Sequence, residues 1–172
     1  EVANHSLQYA LKINGDDNHI ILKGLEDKRL IDSTLYFHLG FWYLFFGLAS
    51  NSHSVLNLWV SDDLRNTFTA PPCSPIALSP SSSRMGGSIA VINKRLIRFG
   101  QNNEGEYGRS LSINHITELS PTNYSEHSCG SIKMDSSFGP HSLNIYLNKI
   151  VFLIKKFNYT FSNSFTYFVN VY

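Results

Sequence analysis

The amino-acid sequence predicts an all-β protein, and within that class an incomplete β-propeller. Short runs of β-branched and aromatic residues, bounded by Gly, Asn, Asp, Ser or Pro, fill most of the chain, whereas only residues 114–120 could form a turn or two of helix. Three segments also align without gaps at an offset of 54 residues, close to the period of a four-stranded propeller blade. A β-sandwich is the competing interpretation, but it gives no reason for this recurrence.

Each of the three aligned segments reads as a strand, a tight turn and a second strand. The segments begin at Thr34, Ser88 and Ser142. Their turns fall at residues 38–40, 92–94 and 146–148, where Asn or Gly supplies the positive φ angles that short hairpins need. The repeat therefore predicts three hairpins at equivalent places in successive blades.

Further strand patterns lie between the hairpins. The first hairpin is followed by a strand pattern at residues 55–61 and by a Pro-rich stretch at 70–80. The second is followed by patterns at residues 107–114 and 124–132. Each hairpin with its two following segments therefore gives four strands, the number in a propeller blade.

The count of repeats indicates that the propeller is partial. Residues 1–27 read as outer strands of a preceding blade, and the unit that begins near Pro140 is cut short. We expect one incomplete propeller domain over residues 1–156, with about two complete blades and parts of two others. Its partners would be the missing blades of the same polypeptide. Residues 157–172 form an apolar tail that is either a last strand or sequence outside the domain.

Composition limits the possible classes of function. The chain has 172 residues, of which 42% are hydrophobic, so we expect one domain with a sizeable core. Its formal net charge is only +1, so we expect no nucleic-acid partner. The longest apolar stretch, residues 41–49, is about half as long as a membrane-spanning helix, so we expect no transmembrane segment in this chain. No signal peptide opens the chain, and its three N-glycosylation sequons match the number expected by chance, so no compartment is predicted.

The cysteines and histidines do not have the spacing of a metal site. Cys73 and Cys129 are 56 residues apart and form no Cys-x-x-Cys pair, so we expect two separate buried thiols. His115, His127 and His141 also lack the spacing of metal ligands. We therefore expect neither a metal nor a cofactor.

The repeat also brings a set of polar residues towards one place. In a propeller the innermost strand of each blade lines a central channel, and ligands bind near the starts of these strands. The offset of 54 makes Asp32, Gly86 and Pro140 equivalent, with Arg84 and His141 close by on their own blades. Asp32, Arg84 and His141 are therefore expected at one funnel.

Gln101 and Tyr107 complete the candidate binding set. A carboxylate, a guanidinium, an imidazole, an amide and a phenol together suit a hydroxyl-rich or phosphate-bearing ligand. Each of these side chains also has a structural alternative, as a cap, a solvated loop charge, a core histidine or an interstrand hydrogen bond. Asp62 and Asp63 read as turn residues rather than as site residues.

Residues 32–151 resemble the N-terminal domain associated with glucosamine inositolphosphorylceramide transferases and related bacterial proteins. Three features depart from the pattern of that family. Ser33 stands where Pro is expected, Gly86 stands where Ala is usual, and the acidic ending expected after the last hairpin is replaced by Lys155, Lys156 and the apolar tail. The resemblance rests on an ordered series of short motifs: DSTLY from Asp32, GFWYLF from Gly40, LWVSDDL from Leu58, PCSP from Pro72, RMGG from Arg84, RFGQ from Arg98, YG from Tyr107, ITEL from Ile116, Glu126, and GPHSLN from Gly139.

The resemblance implies a five-bladed propeller, similar in architecture to those of glycoside hydrolase families 43 and 32. It implies an accessory or substrate-recognition domain of a glycosyltransferase-type protein, which binds a sugar or sugar phosphate and performs no chemistry itself. One alternative is a fragment of a family 43 or 32 hydrolase, but glycosidases need two carboxylates and Asp32 is the only candidate catalytic residue here. A second alternative is a protein-interaction propeller that uses its rim loops.

Overall fold

The computed structural model describes residues 9–12, 19–105, 109–133, 138–146, 149–156 and 163–170, and all regular structure among them is β-strand. The prediction of an all-β protein is therefore confirmed. The described strands are β1 (Tyr9–Lys12), β2 (His19–Leu22), β3 (Leu30–His38), β4 (Phe41–Leu48), β5 (Val55–Ser61), β6 (Ala77–Leu78), β7 (Arg84–Met85), β8 (Ala90–Ile92), β9 (Arg95–Asn102), β10 (Ser110–Leu119), β11 (Tyr124–Ile132), β12 (Phe138–Tyr146), β13 (Lys149–Lys156) and β14 (Asn163–Asn170).

These strands form four antiparallel sheets that follow one another along the chain. Sheet 1 contains β1 and β2, and sheet 2 has the order β3-β4-β5-β6. Sheet 3 has the order β11-β10-β9-β7, with β8 pairing the other part of β9, and sheet 4 has the order β12-β13-β14. Consecutive strands are neighbours almost throughout. The strand β14 at residues 163–170 places part of the apolar tail beside β13.

The hairpin repeat appears in the structure with its spacing unchanged. The first strands of the three hairpins end at His38, Ile92 and Tyr146, each 54 residues after the last. The described turns have positive φ at Leu39 and Gly40 in the first hairpin and at Asn93 and Lys94 in the second. Positive φ at both turn residues is the geometry of a type I′ turn, which matches the twist of the strands that it joins. The third turn lies outside the described residues.

The prediction of a possible helix at residues 114–120 is wrong, because residues 114–119 belong to β10. Two register shifts interrupt the pairing of β10 with β11, one between Ile113 and Asn114 and one between Ile116 and Glu118. A bulge adds a residue to one strand, so side chains three apart can face the same way. Ile116 and Leu119 accordingly share one hydrophobic cluster. Their helix-like spacing reflects a bulged strand.

The sheets pack face to face in the order in which the chain forms them. In β4, Leu44 and Phe46 pack with Leu22 and Leu25 on the side of sheet 1. Alternate residues of a strand point to opposite faces, so Tyr43 and Phe45 of β4 pack on the other face, towards sheet 3. They belong to a hydrophobic cluster that consists of Tyr43, Phe45, Leu56, Leu58, Val60, Met85, Ile89, Ile116 and Leu119. Both faces of sheet 2 are covered, which explains the run of buried residues in β4.

Sheet 3 repeats this arrangement with its other neighbour. Ile97, Phe99 and Leu111 of sheet 3 pack with Leu143 of β12. The inner strands also meet through their backbones, because the amide of Leu143 donates to the carbonyl of Gly86 over 2.8 Å. The three hairpins therefore lie in three separate sheets whose first strands touch, and not in one flat sheet.

The first strands of sheets 2, 3 and 4 run in the same direction. Asp32 and Thr34 of β3 contact Arg84 and Gly87 respectively. Next along the series, Gly86 and Ser88 contact Leu143 and Asn144. At each of the two contacts between sheets, moving forward along one segment also moves forward along its partner. Therefore β3, the segment at residues 84–88 and the start of β12 run parallel to one another. All the described hairpin turns consequently point towards one end of the molecule.

The cysteines are free thiols, as expected, but the prediction that both are buried is wrong. Cys73 is half-buried and Cys129 is exposed. Cys129 lies on β11, the outermost strand of sheet 3, where no described sheet covers it. In the part of the chain that the structure describes, no helix has the length and apolar character needed to cross a membrane.

Gly87 is the residue most sensitive to substitution at the contact between sheets 3 and 4. Its φ is +129°, and an added Cβ would lie 1.9 Å from the carbonyl oxygen of Leu143. We expect Gly87→Ala to lower the free energy of unfolding by about 3 kcal/mol or more, from backbone strain and the clash together. Gly40 has φ +88° with no atom within 4 Å of such a Cβ, so Gly40→Ala should cost only about 1 kcal/mol. Urea unfolding of both variants measures the difference, and equal losses would contradict the close contact.

Candidate functional site

The candidate site begins with a backbone irregularity at the start of β3. Asp32 has φ +48°, in the left-handed region, and the pairing of β3 with β4 shifts between Ile31 and Thr34. Asp is among the few residues that adopt this conformation readily. Bulges of this kind re-aim a side chain, and here the carboxylate of Asp32 points at the neighbouring sheet.

Arg84 and Gln101 of sheet 3 both hold the carboxylate of Asp32. The Nε of Arg84 donates to Oδ2 of Asp32 over 2.6 Å, and the Nε2 of Gln101 donates to the same oxygen over 3.2 Å. Arg84 and Gln101 are themselves directly opposite each other in the pairing of β7 with β9. The side chain of Asp32 remains 31% exposed, whereas that of Arg84 is 13% exposed. Arg84 and Gln101 therefore fix the carboxylate from the protein side and leave it open to solvent.

Gln101 is fixed in its turn by the backbone. Its Nε2 also donates to the carbonyl of Met85 over 2.9 Å, and the residue is 1% exposed. The Oε1 atom of Gln101 is buried and has no hydrogen-bond partner among the described residues. A fully buried amide does not reach a ligand directly. Gln101 therefore positions Asp32 and does not itself face the cleft.

The open side of Asp32 lines a small cleft between the inner strands. The cleft has a volume of about 230 Å³. Ser33 and Thr34 line it from β3, and His141 and Ser142 line it from β12, with Met85 and Gly87 between them. The hydroxyl of Thr34 also donates to the carbonyl of Gly87 over 3.1 Å, which closes one side. One carboxylate, one imidazole and several hydroxyl groups are thus gathered from three sheets.

The structure brings together four of the five residues that the sequence proposed. Asp32, Arg84 and Gln101 are hydrogen-bonded, and His141 lies across the cleft. Tyr107 lies outside the described residues. Sequence reasoning also missed lining residues, among them Ser33, Thr34 and Ser142. Thr34 and Ser142 begin two of the aligned hairpin segments, so the repeat itself could have identified them.

A second group of charged residues is buried away from the cleft. The guanidinium of Arg98, which is 0% exposed, makes two parallel hydrogen bonds with the carboxylate of Glu126, and its Nη1 donates to the carbonyl of Ser82 over 2.8 Å. The hydroxyl of Tyr124 donates to the same carboxylate. Every strong donor of this group therefore has a partner, as a buried charge requires. The group joins β9 to β11 within sheet 3 and has a structural role.

Burial and charge shift the pKa values of this group. Burial alone would lower the pKa of Arg98, but the hydrogen bonds and the charge of Glu126 raise it above its usual value. Burial raises the pKa of the Tyr124 phenol, and the Glu126 carboxylate adds to this effect while Arg98 opposes it. Arg98 is therefore charged, and Tyr124 stays neutral, over the whole physiological range.

Among the residues that the structure describes, the cleft is lined by one carboxylate and not by the two that a glycosidase needs. Asp32 is the one carboxylate among the described residues that line it. Glu126 is on the outer strand β11, and its carboxylate is paired with Arg98 of β9. The described residues also contain no group of three or more His, Cys, Asp or Glu side chains placed to hold a metal ion. The arrangement is suited to binding hydroxyl groups through Asp32 and His141.

Comparison with known proteins agrees with the resemblance noted in the sequence. The family described as glucosamine inositolphosphorylceramide transferase 1, N-terminal, matches residues 6–145. The chain is 33% identical over 112 residues to glucosamine inositolphosphorylceramide transferase 1 of Oryza sativa subsp. japonica, which covers 60% of this chain and 15% of that protein. It is 29% identical over 113 residues to the protein of the same name from Arabidopsis thaliana, covering 62% of this chain and 14% of the relative. The chain thus spans a small part of these relatives, and no solved structure matches it.

The buried Tyr124 predicts a specific dependence of stability on pH. A tyrosine in the unfolded chain ionises near pH 10, whereas the raised pKa keeps Tyr124 protonated in the folded state above that pH. The unfolded state then binds fewer protons, so the free energy of unfolding falls as pH rises above about 10, by up to about 1.4 kcal/mol per pH unit. Tyr124→Phe removes this contribution and should show a shallower fall in urea unfolding between about pH 9 and 11. Equal slopes would contradict the burial of the phenol, because all other titrating groups are common to both proteins.

Proposed function

This chain belongs to the family described as glucosamine inositolphosphorylceramide transferase 1, N-terminal, and on that premise we propose that it is a substrate-recognition domain of a glycosyltransferase-type protein. Its ligand is a sugar or a sugar phosphate, bound in the cleft at Asp32. The single observation that carries the proposal is the partly exposed carboxylate of Asp32, which is fixed by Arg84 and Gln101 and faces His141 across the cleft.

The chemistry of the cleft favours a hydroxyl-rich ligand. A carboxylate held by two donors on one oxygen keeps a fixed direction, so it accepts hydrogen bonds from a hydroxyl or an ammonium group without first losing side-chain freedom. The cleft of about 230 Å³ is smaller than the ~300–1,000 Å³ of drug-sized sites, so it fits a single sugar ring. The negative charge of Asp32 is balanced within the protein, because Arg84 forms an ion pair with it.

The propeller architecture belongs to the same proposal. Four antiparallel sheets in chain order, face-to-face packing of each with the next, and parallel first strands are the features of successive propeller blades. We infer that sheets 1 to 4 are blades of an incomplete five-bladed propeller, similar in architecture to those of glycoside hydrolase families 43 and 32. The domain covers residues 1–156, and β14 at residues 163–170 adds a strand of the tail to its last blade. In that arrangement the cleft lies at the mouth of the central channel.

Isothermal titration with glucosamine 1-phosphate and with glucosamine tests the proposed ligand class. Asp32→Asn should weaken binding by about tenfold or more, because a hydrogen bond to a charged acceptor is lost. Arg84→Gln should weaken it by a smaller factor, since the carboxylate stays in place but loses its fixed direction. Asp27→Asn is the matched control, because Asp27 is 80% exposed and its ion pair within the described part of the chain is with the adjacent Lys28.

Two outcomes would contradict the proposal. One is unchanged affinity in Asp32→Asn when thermal unfolding shows the variant to be folded. The other is an equal loss of affinity in Asp32→Asn and Asp27→Asn, which would indicate a general effect of charge. Cleavage of a glycoside by the chain, abolished in Asp32→Asn, would favour the hydrolase interpretation instead.

A further inference from the structure

The hairpin turns lie at the end of the molecule opposite to the cleft. The first strands of sheets 2 and 3 are parallel, and they contact each other near their starts, at Asp32 and Arg84. In sheet 2, β3 then runs on to His38, and in sheet 3 the chain continues from β7 through residues 86–89 into β8, which ends at Ile92. At both places the chain turns back into the second strand of the hairpin. The turns at residues 39–40 and 93–94 therefore share one end.

Large apolar side chains are exposed at both turns. Phe37 and Leu39 are 52% and 81% exposed, and Val91 and Ile92 are 63% and 38% exposed. We call these four residues the apolar tips. Water contact at such side chains is unfavourable, and two hairpins expose them at the same end of the molecule. Two exposed apolar side chains thus stand at each turn, and apolar exposure concentrated at one end of a molecule is typical of a surface that contacts a partner.

Leu39 is unfavourable in two ways at once. Its φ is +46°, a conformation that is rare for a bulky residue and that Gly or Asn adopts at lower cost. It is also the most exposed of the large hydrophobic residues described. A side chain that is 81% exposed buries little apolar surface within the described residues, so a contact outside the chain would give Leu39 a purpose that its own fold does not.

Positive charge lies directly beside the apolar tips. Lys94 and Arg95 follow Ile92 at the second turn and are exposed. Arg95 also borders a cleft of about 390 Å³, whose apolar lining includes Ile92, Ile97 and Ile113. A cation at the mouth of an apolar cleft can hold a phosphate group while the isoleucines contact an acyl chain.

The acidic residues at this end are set further out. Asp62 and Asp63 follow β5, and Glu118 is on β10, each the third strand of its sheet. Asp62 and Asp63 are also engaged by the turn itself, through Asn66 and the backbone amide of Arg65. The inner hairpins thus combine apolar side chains with net positive charge.

We propose that the end formed by the two described hairpin turns docks on an anionic lipid surface, with the apolar tips in the interface and Lys94 and Arg95 on lipid phosphates. Apolar insertion and attraction to anionic headgroups together give stable interfacial binding, whereas either one alone is weak. This inference uses a surface separate from the Asp32 cleft. It would place that cleft on the side of the domain that faces away from the lipid.

Cosedimentation of the chain with vesicles tests the proposal. The probes are phosphatidylcholine vesicles with and without phosphatidylinositol. Binding should require the anionic lipid and weaken with added salt. Leu39→Glu and Val91→Glu should each lower the partition constant about tenfold, and Lys94→Glu should lower it by several-fold.

Leu78→Glu is the matched control for the apolar substitutions. Leu78 is 73% exposed, like the apolar tips, but it pairs with Val55 at the start of β5, which is the opposite end of sheet 2. This variant should bind vesicles as the unchanged chain does. All four side chains are exposed, so far-ultraviolet circular dichroism should show the same fold in each variant.

Several results would overturn the proposal. One is equal binding to vesicles with and without phosphatidylinositol, and another is an equal loss of vesicle binding in Leu39→Glu and Leu78→Glu. A third is release of the chain from vesicles by soluble inositol phosphate, which would indicate a phosphate site without lipid contact. Concentration-dependent dimerisation in analytical ultracentrifugation that Leu39→Glu abolishes, in the absence of vesicle binding, would assign the surface to a second copy of the chain. Affinity for glucosamine 1-phosphate should be unchanged in Leu39→Glu, which separates this test from that of the cleft.

Discussion

The close backbone contact at Gly87 is the constraint on which the rest of the structure depends. An added Cβ there would meet the carbonyl of Leu143 at 1.9 Å, so only glycine allows the first strands of sheets 3 and 4 to approach this far. The same short segment accepts a hydrogen bond from Thr34 of sheet 2. Three sheets therefore converge at one backbone segment, and the cleft lies where they meet.

Two arginines of the same sheet have different roles, and their partners explain why. Arg98 is fully buried and satisfied by Glu126 and a backbone carbonyl, so its charge is used within sheet 3. Arg84 reaches across to Asp32, whose carboxylate is still partly exposed. The first pair stabilises one sheet, and the second joins two sheets and orients a carboxylate for a ligand. A domain built in this way positions a binding group without enclosing it.

The sequence predicted the hairpins well because their information is local. A repeat of 54 residues with Asn or Gly at the turns predicts both the strands and their alignment, and it brings Asp32 and Arg84 together although they are 52 residues apart. It did not predict the bulges of β10, which give the spacing of a helix to a strand. Nor did it show that Gln101 would be buried behind Asp32, since burial depends on how neighbouring sheets pack. The exposure of Cys129 escaped prediction for the same reason.

The proposed function depends on ligand binding at the Asp32 cleft, where three sheets converge. The most direct measurement is the change in backbone amide chemical shifts when the isotope-labelled chain is titrated with glucosamine 1-phosphate. Binding at the cleft should give saturable shifts at the amides of Ser33, Gly87 and Ser142, which come from three different sheets and share only the cleft. Shifts confined to the hairpin turns or to the outer strands, with these three amides unchanged, would contradict it.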